Sequence, residues 1–212
     1  MSSSTAFITI VLAVLLGAIS PGPSFVVVAR TAISQSRRHG LATALGMGAG
    51  GAVFSLLALL GLYSLLAAVG WLYGLLKLAG GFYLLWLALR IWRGATTPLT
   101  LAATHDNQHG PLLRAFWLGL STQLSNPKTA IVYGSIFAAL LPRQPALWCS
   151  LALPPSVLLI EAGWYAVVAF GFSSSKPQAI YLRAKQHIDR LAASAIGLLG
   201  LRLILSAPRA GL

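Results

Sequence analysis

Three ionisable side chains stand where an apolar chain has little reason to keep them. Glu161 lies in LLIEAGWYAVV, Lys77 in LLKLAGG and Lys128 in SNPKTA, each within an otherwise apolar segment. A charge at the centre of a membrane helix costs about 2.5–3.5 kcal/mol on insertion scales, so such a residue faces the interior and either pairs or works. A carboxyl group with apolar flanks on both sides suits a residue that takes and releases a proton. An ion pair of Glu161 with Lys77 or Lys128 is the structural alternative, and the two are compatible if the carboxylate trades a lysine for a proton. Lys128 follows Asn126-Pro127 and can face an anionic group such as a carboxylate; it can equally extend to a lipid headgroup, as can Lys77. Tyr83, Trp164 and Tyr165 are the aromatic residues placed to line a pore, although lipid-facing aromatic side chains are commoner.

The second source of chemistry is broken backbone. Ser20-Pro21-Gly22-Pro23-Ser24 interrupts one apolar segment and Ser125-Asn126-Pro127-Lys128 interrupts another. Each break frees N–H and C=O groups that cost on the order of several kcal/mol apiece in lipid, so it survives only in protein or beside a cavity. Interrupted segments at corresponding places in two halves point to a transporter binding site near the midplane. These nine residues are therefore the expected substrate-binding set, with Glu161 coupling a proton and Lys77, Tyr83, Trp164 and Tyr165 in support. The half-helix N-termini would present partial positive charge to a substrate carboxylate.

The elements that must position these groups are membrane helices. The chain is 57% hydrophobic and 8% charged, with mean hydropathy +0.80, whereas a soluble domain carries roughly 25% charged residues. Apolar runs of about 20 residues cross a hydrocarbon core roughly 30 Å thick. The reading is an all-α integral membrane protein forming a single domain over residues 1–212, with six transmembrane helices over about 5–29, 41–68, 70–92, 113–141, 146–172 and 191–205. Helices one and four are the broken ones. Three spans per half is an odd number, so the second half enters inverted, giving a 3+3 inverted repeat. Segment two opens on Gly46, Gly48, Gly50 and Gly51, small residues that let helices approach closely, and this face offers a surface for a homodimer. Residues 173–190 read as a polar connector, partly an interfacial helix.

A net charge of +12 does not indicate nucleic acid, because no stretch interleaves basic and aromatic residues on a polar face. Lys and Arg instead mark topology. Arg30, Arg37, Arg38, Arg90, Arg93, Arg114, Lys176, Arg183, Lys185 and Arg190 follow the odd segments, and only Arg143, Arg202 and Arg209 fall on the other side. That bias puts the odd loops in the cytoplasm and both termini outside. MSSSTAF has no basic region ahead of its apolar run, so the first segment is expected to stay rather than be cleaved. Cys149 is alone and forms no intrachain disulfide. His105 and His109 flank Asp106 at a spacing that binds metal on a helix, but the Gly/Pro-bounded stretch lacks a third ligand, so no metal and no cofactor is expected. No Gly-x-Ser-x-Gly, phosphate loop or His-Glu-x-x-His occurs, which argues against an enzyme.

Four motifs together resemble one family. They are SPGPSFVVVART, GLATALGMGAG, LLKLAGGFYLLWLALRIWR and FWLGLSTQLSNPKTAIVY. In this order they are similar to the LysE/RhtB-type bacterial amino-acid exporters, and the similarity spans nearly the whole chain. The resemblance implies an inner-membrane transporter that exports amino acids or related metabolites, driven by the proton-motive force without a soluble ATPase partner. Glu161 looks like the counterpart of an acid, more usually Asp, in the family's fifth segment, and Asn-Pro-Lys-Thr stands where the family more often has Asn-Pro-Lys-Ala. Relatives use threonine, homoserine, lysine, arginine, leucine and cysteine derivatives, so the resemblance leaves the substrate open. A passive small-solute channel is the alternative class; an integral-membrane enzyme or assembly factor is a weaker one, for want of paired catalytic groups.

Overall fold

The computed structural model describes residues 2–68, 72–97, 110–142 and 144–205, and these form eight α-helices and no strand. α1 (Ser3–Ile19) opens on Ser2, whose hydroxyl accepts from the Thr5 N–H at 3.2 Å. It stops at Ile19 because Pro21 biases Ser20 away from helical backbone angles and supplies no N–H. α2 (Pro23–Ser34) restarts with Pro23 in its first turn, where a missing N–H costs nothing. The axes of α1 and α2 differ by 58°. The same chemistry divides α5 (Leu112–Leu124) from α6 (Pro127–Leu140): Pro127 opens α6, and Asn126 caps it by accepting from the Lys128 N–H at 3.0 Å.

The uninterrupted helices are α3 (Arg37–Ala68), α4 (Leu72–Gly94), α7 (Leu147–Phe172) and α8 (Ser175–Leu205). α7 continues through Pro154 and Pro155, although both lack the N–H that would bond the carbonyls of Ser150 and Leu151. Length and hydropathy alone support two crossing helices, α3 over Arg37–Gly61 and α7, and a third if the bent pair α1–α2 counts as one span. Large apolar side chains face outward along many helices, among them Leu60, Leu113, Leu147, Leu159, Leu191 and Leu198. Water-soluble monomers do not expose apolar surface on that scale.

Two boundaries differ from expectation. α8 begins at Ser175 rather than at Leu191, so the polar connector is helical. Polarity does not by itself end a helix, and the polar half of α8 buries a Lys185–Asp189 pair one turn apart. α3 likewise begins at Arg37, ahead of the apolar run. His39 lies in its first turn, with Nε2 2.7 Å from the Gly110 carbonyl and Nδ1 2.7 Å from the Ser36 hydroxyl. His105, Asp106 and His109 lie outside the described residues; among those described, no three His, Cys, Asp or Glu side chains gather as metal ligands.

α3 is the central element, packing on α5 along one side and α7 along the other, while α4 lies against α8 and α6. The glycines make this possible. A methyl group on Gly46 would strike the Phe116 carbonyl of α5, and one on Gly119 of α5 would strike the Thr43 carbonyl of α3. On the other side, a methyl group on Gly48 would come within 2.7 Å of the Leu158 carbonyl and 2.8 Å of the Ala162 Cβ, both on α7. Small residues let backbones close to this distance where packing rather than water expulsion holds helices together. The glycine face is therefore occupied within the chain. It is not the homodimer surface expected from sequence, because α5 and α7 cover it.

Candidate functional site

The two breaks meet. Lys128, in the first turn of α6, reaches across to the end of α1 and donates from Nζ to the Ser20 carbonyl at 3.2 Å and the Gly17 carbonyl at 3.5 Å. Those carbonyls lost their helical partners when α1 stopped, and an ammonium group is the best donor to offer them. Lys128 thus neither extends to a headgroup nor pairs directly with Glu161.

A chain of buried polar groups joins the breaks to α7. The Asn126 amide donates to the Ser24 hydroxyl at 3.1 Å, Ser24 donates to Gln123 Oε1 at 2.6 Å, and Gln123 Nε2 donates to Glu161 Oε2 at 2.7 Å. None of the four side chains is more than 5% exposed. Every donor points toward the carboxylate, and the two ends of the Gln123 amide are both satisfied, which fixes its orientation. Gln123 thereby bridges Glu161 of α7 to Ser24 of α2, with both ends of its amide engaged. Gly51 of α3 leaves room for this head group: a methyl group there would collide with Glu161 Oε2 and come within 2.9 Å of the Tyr133 hydroxyl. Gly50 does the same for Gln123, whose Cβ would be 2.7 Å from such a group. The Tyr133 hydroxyl faces the carboxylate but has no well-formed hydrogen bond among the described residues.

Two adjoining cavities serve this network. The inner one, about 30 Å³, is walled by Ser20, Ser24, Asn126, Lys128, Tyr133, Glu161 and Tyr165 among others. A water needs at least about 10–15 Å³ of such space, so the chamber holds roughly two waters and no amino acid. The outer cavity, about 440 Å³, shares Ser20, Gly22, Asn126 and Lys128 with the inner one and reaches Arg90, Gly94 and Thr97 at the end of α4. That volume lies in the range of small-molecule sites, about 300–1,000 Å³.

Among the residues singled out from sequence, Ser20, Gly22, Ser24, Asn126, Lys128, Glu161 and Tyr165 converge on the chamber, and Pro21, Pro23, Pro127 and Tyr83 line the outer cavity. Ser125 does not join them. It ends α5 with an exposed side chain and lines neither cavity, because the turn into Asn126 points it away. Trp164 is also elsewhere, lining an apolar cavity with Val168, Phe172 and Tyr181. The Lys77 side chain lies outside the described ones. Sequence reasoning missed Gln123, Tyr133, Lys185 and Asp189. A glutamine inside an apolar segment is a weak signal, and the i,i+4 Lys–Asp pair is a stronger one.

The family model for LysE type translocators matches residues 15–207. The chain belongs to this family. The matched span of this LysE-type translocator takes in both breaks, Glu161 and the Lys185–Asp189 pair. The chain is 34% identical over 207 residues to the threonine efflux protein of Salmonella typhi, covering 94% of this chain and 98% of the relative. The threonine efflux protein of Escherichia coli K12 is 32% identical over 204 residues with the same coverage. The homoserine/homoserine lactone efflux protein of Salmonella typhimurium LT2 is 29% identical over 146 residues, 68% of each chain. No solved structure matches the chain. LysE-type translocators are transporters, so this is a multi-pass membrane transporter rather than an enzyme.

Proposed function

We propose that this LysE-type translocator exports an amino acid from the cytoplasm across the bacterial inner membrane in exchange for protons. The observation that carries the reading is the polar chain Asn126–Ser24–Gln123–Glu161, which ties both broken helices to one buried carboxylate beside a cavity. In this reading the single domain crosses the membrane six times as two inverted halves, α1–α2, α3 and α4 against α5–α6, α7 and α8. Both termini lie outside. Arg90, Lys185 and Arg190 then mark the cytoplasmic end, and the outer cavity is the cytoplasmic vestibule. Arg90 over Trp86 and Arg190 over Trp92, at 5.4 Å each, fit the boundary between lipid and headgroup.

The amino acid enters from the cytoplasm and brings its carboxylate toward the open N-terminus of α2 and the Lys128 ammonium. With Glu161 ionised, Gln123 holds α5 to α7 and the chamber stays water-sized. A proton arriving from outside neutralises Glu161 and weakens the Gln123 bond, since hydrogen bonds to charged groups are about twice as strong as neutral ones. The broken helices are then free to move past α7, the substrate leaves to the outside, and Glu161 releases its proton to the cytoplasm on the return, which completes the exchange. The names of the relatives make threonine the first amino acid to try and homoserine the second.

Export driven by an imposed pH gradient in proteoliposomes tests the reading. Glu161→Gln should reduce gradient-driven export to the level of empty vesicles while substrate exchange at equal pH survives, because the amide still bonds Gln123. Wild-type export by Glu161→Gln would overturn the proton assignment. A passive channel would move substrate in both proteins with no proton counterflow, and a chamber too small for an amino acid fits a gate better than a channel.

A further inference from the structure

Asp189 is the only acid on the wall of the outer cavity among the described residues, and half of it is idle. Its side chain is 4% exposed. Oδ2 accepts from Lys185 Nζ at 2.7 Å, while Oδ1 has no hydrogen-bond partner among the described residues. Lys185 has nothing left to give. Its other two protons go to the Gly94 carbonyl at 3.2 Å and the Ala95 carbonyl at 3.3 Å, closing the end of α4. A lysine offers three donors, so the pair leaves one covered carboxylate oxygen unmet on a residue that lines the cavity, and no free cationic donor. The other charges on that wall are Arg90 and Lys128. Lys128 lies within electrostatic reach of Asp189.

A buried carboxylate with an unmet acceptor is expensive unless a donor arrives. The cavity thus holds two cations, Arg90 and Lys128, and one acceptor with an open oxygen. This is the pattern that complements a zwitterion. We propose that Asp189, braced by Lys185, is the anchor for the substrate's α-ammonium group in the cytoplasmic vestibule, leaving the carboxylate to Lys128 and the N-terminus of α2. The inference rests on the export reading above and adds a specificity-determining residue to it. Arg90 and Lys128 alone would accept any small organic anion; Asp189 restricts entry to those that carry an amine.

The test uses the full-length protein in proteoliposomes. Uptake by counterflow is measured for each protein amino acid, and KM is then taken for the best one in wild type, Asp189→Asn and the double variant Lys185→Gln/Asp189→Asn. The double variant keeps charge balance, since neutralising both members of a buried pair is tolerated far better than stranding one. Both variants should raise KM by about tenfold or more, the scale of one lost charge-assisted hydrogen bond. Inhibition by the matching hydroxy acid, which lacks the amine, should stay unchanged. If the double variant returns to wild-type KM, Asp189 serves only to balance Lys185 and the proposal is overturned. It is also overturned, alone, if wild type transports and Asp189→Asn matches its KM. A wild type that moves no amino acid overturns the export reading and this inference with it.

Discussion

The two breaks look alike in sequence and are built differently. At the second, Asn126 caps α6 with its own side chain, so the N-terminus is filled by the protein itself. At the first, Gly22 stands at the cap of α2 and offers no side chain, leaving the N-terminal N–H groups without a side-chain acceptor. The carbonyl ends differ too. α1 relies on Lys128, which comes from the other break. The second break therefore completes itself and props the first, while the first leaves the N-terminus of α2 without a side-chain cap, an end of the kind that suits an anion. On the proposed reading, one is scaffold and the other is site.

If that division holds, the largest effect should come from the residue that serves both. Lys128→Met removes the donor to the Ser20 and Gly17 carbonyls, a loss of about 1–3 kcal/mol for buried acceptors left unmet. It also removes the cation opposite the substrate carboxylate. Export should fall to background and thermal stability in detergent should drop together. Loss of export with unchanged stability would mean that Lys128 serves substrate alone and props nothing. Asn126→Ala comes next. It takes away a helix cap worth about 1 kcal/mol and the donor to Ser24, so stability should fall modestly and export partially. An Asn126→Ala variant as inactive as Lys128→Met would make the second break a site in its own right.

The breaks themselves were legible because each joins proline to a residue that favours a stop or a cap, Gly22 at the first and Asn126 at the second; proline alone does not suffice, since α7 runs on through Pro154 and Pro155. Glu161 was legible because apolar flanks make a lone acid conspicuous. Gln123 and Tyr133 were not, because a neutral polar residue becomes part of a site only when a neighbouring helix supplies its partner. Asp189 was hidden for a different reason. It lies in a stretch that reads as a polar connector, partly an interfacial helix, and only the continuation of α8 back to Ser175 places Lys185 and Asp189 on the cavity wall. Trp164 and Tyr165 were inseparable in a helix apolar on all sides; successive residues point about 100° apart, so one faces the chamber and the other does not. Ser125 and Ser24 flank matching breaks, yet only Ser24 turns inward.

The smallest perturbation divides the two breaks most cleanly. Gly22 has extended backbone angles that any residue adopts. A Cβ there would meet Lys128 Nζ at 3.5 Å and Cδ at 3.7 Å, ordinary contact distances. Gly22→Ser is thus admitted sterically, and its hydroxyl would cap α2 as Asn126 caps α6. Replacing Gly by Ser at a cap gains only a few tenths of a kcal/mol, about the difference the two residues show there. Stability should hold or rise slightly, while KM rises because the new hydroxyl occupies the N–H groups that the substrate carboxylate needs. Gly22→Ala, which fills the same space without an acceptor, should leave KM close to wild type. Equal KM in the serine and alanine variants would show that the open end of α2 binds no carboxylate, and the first break would then be a hinge rather than a site.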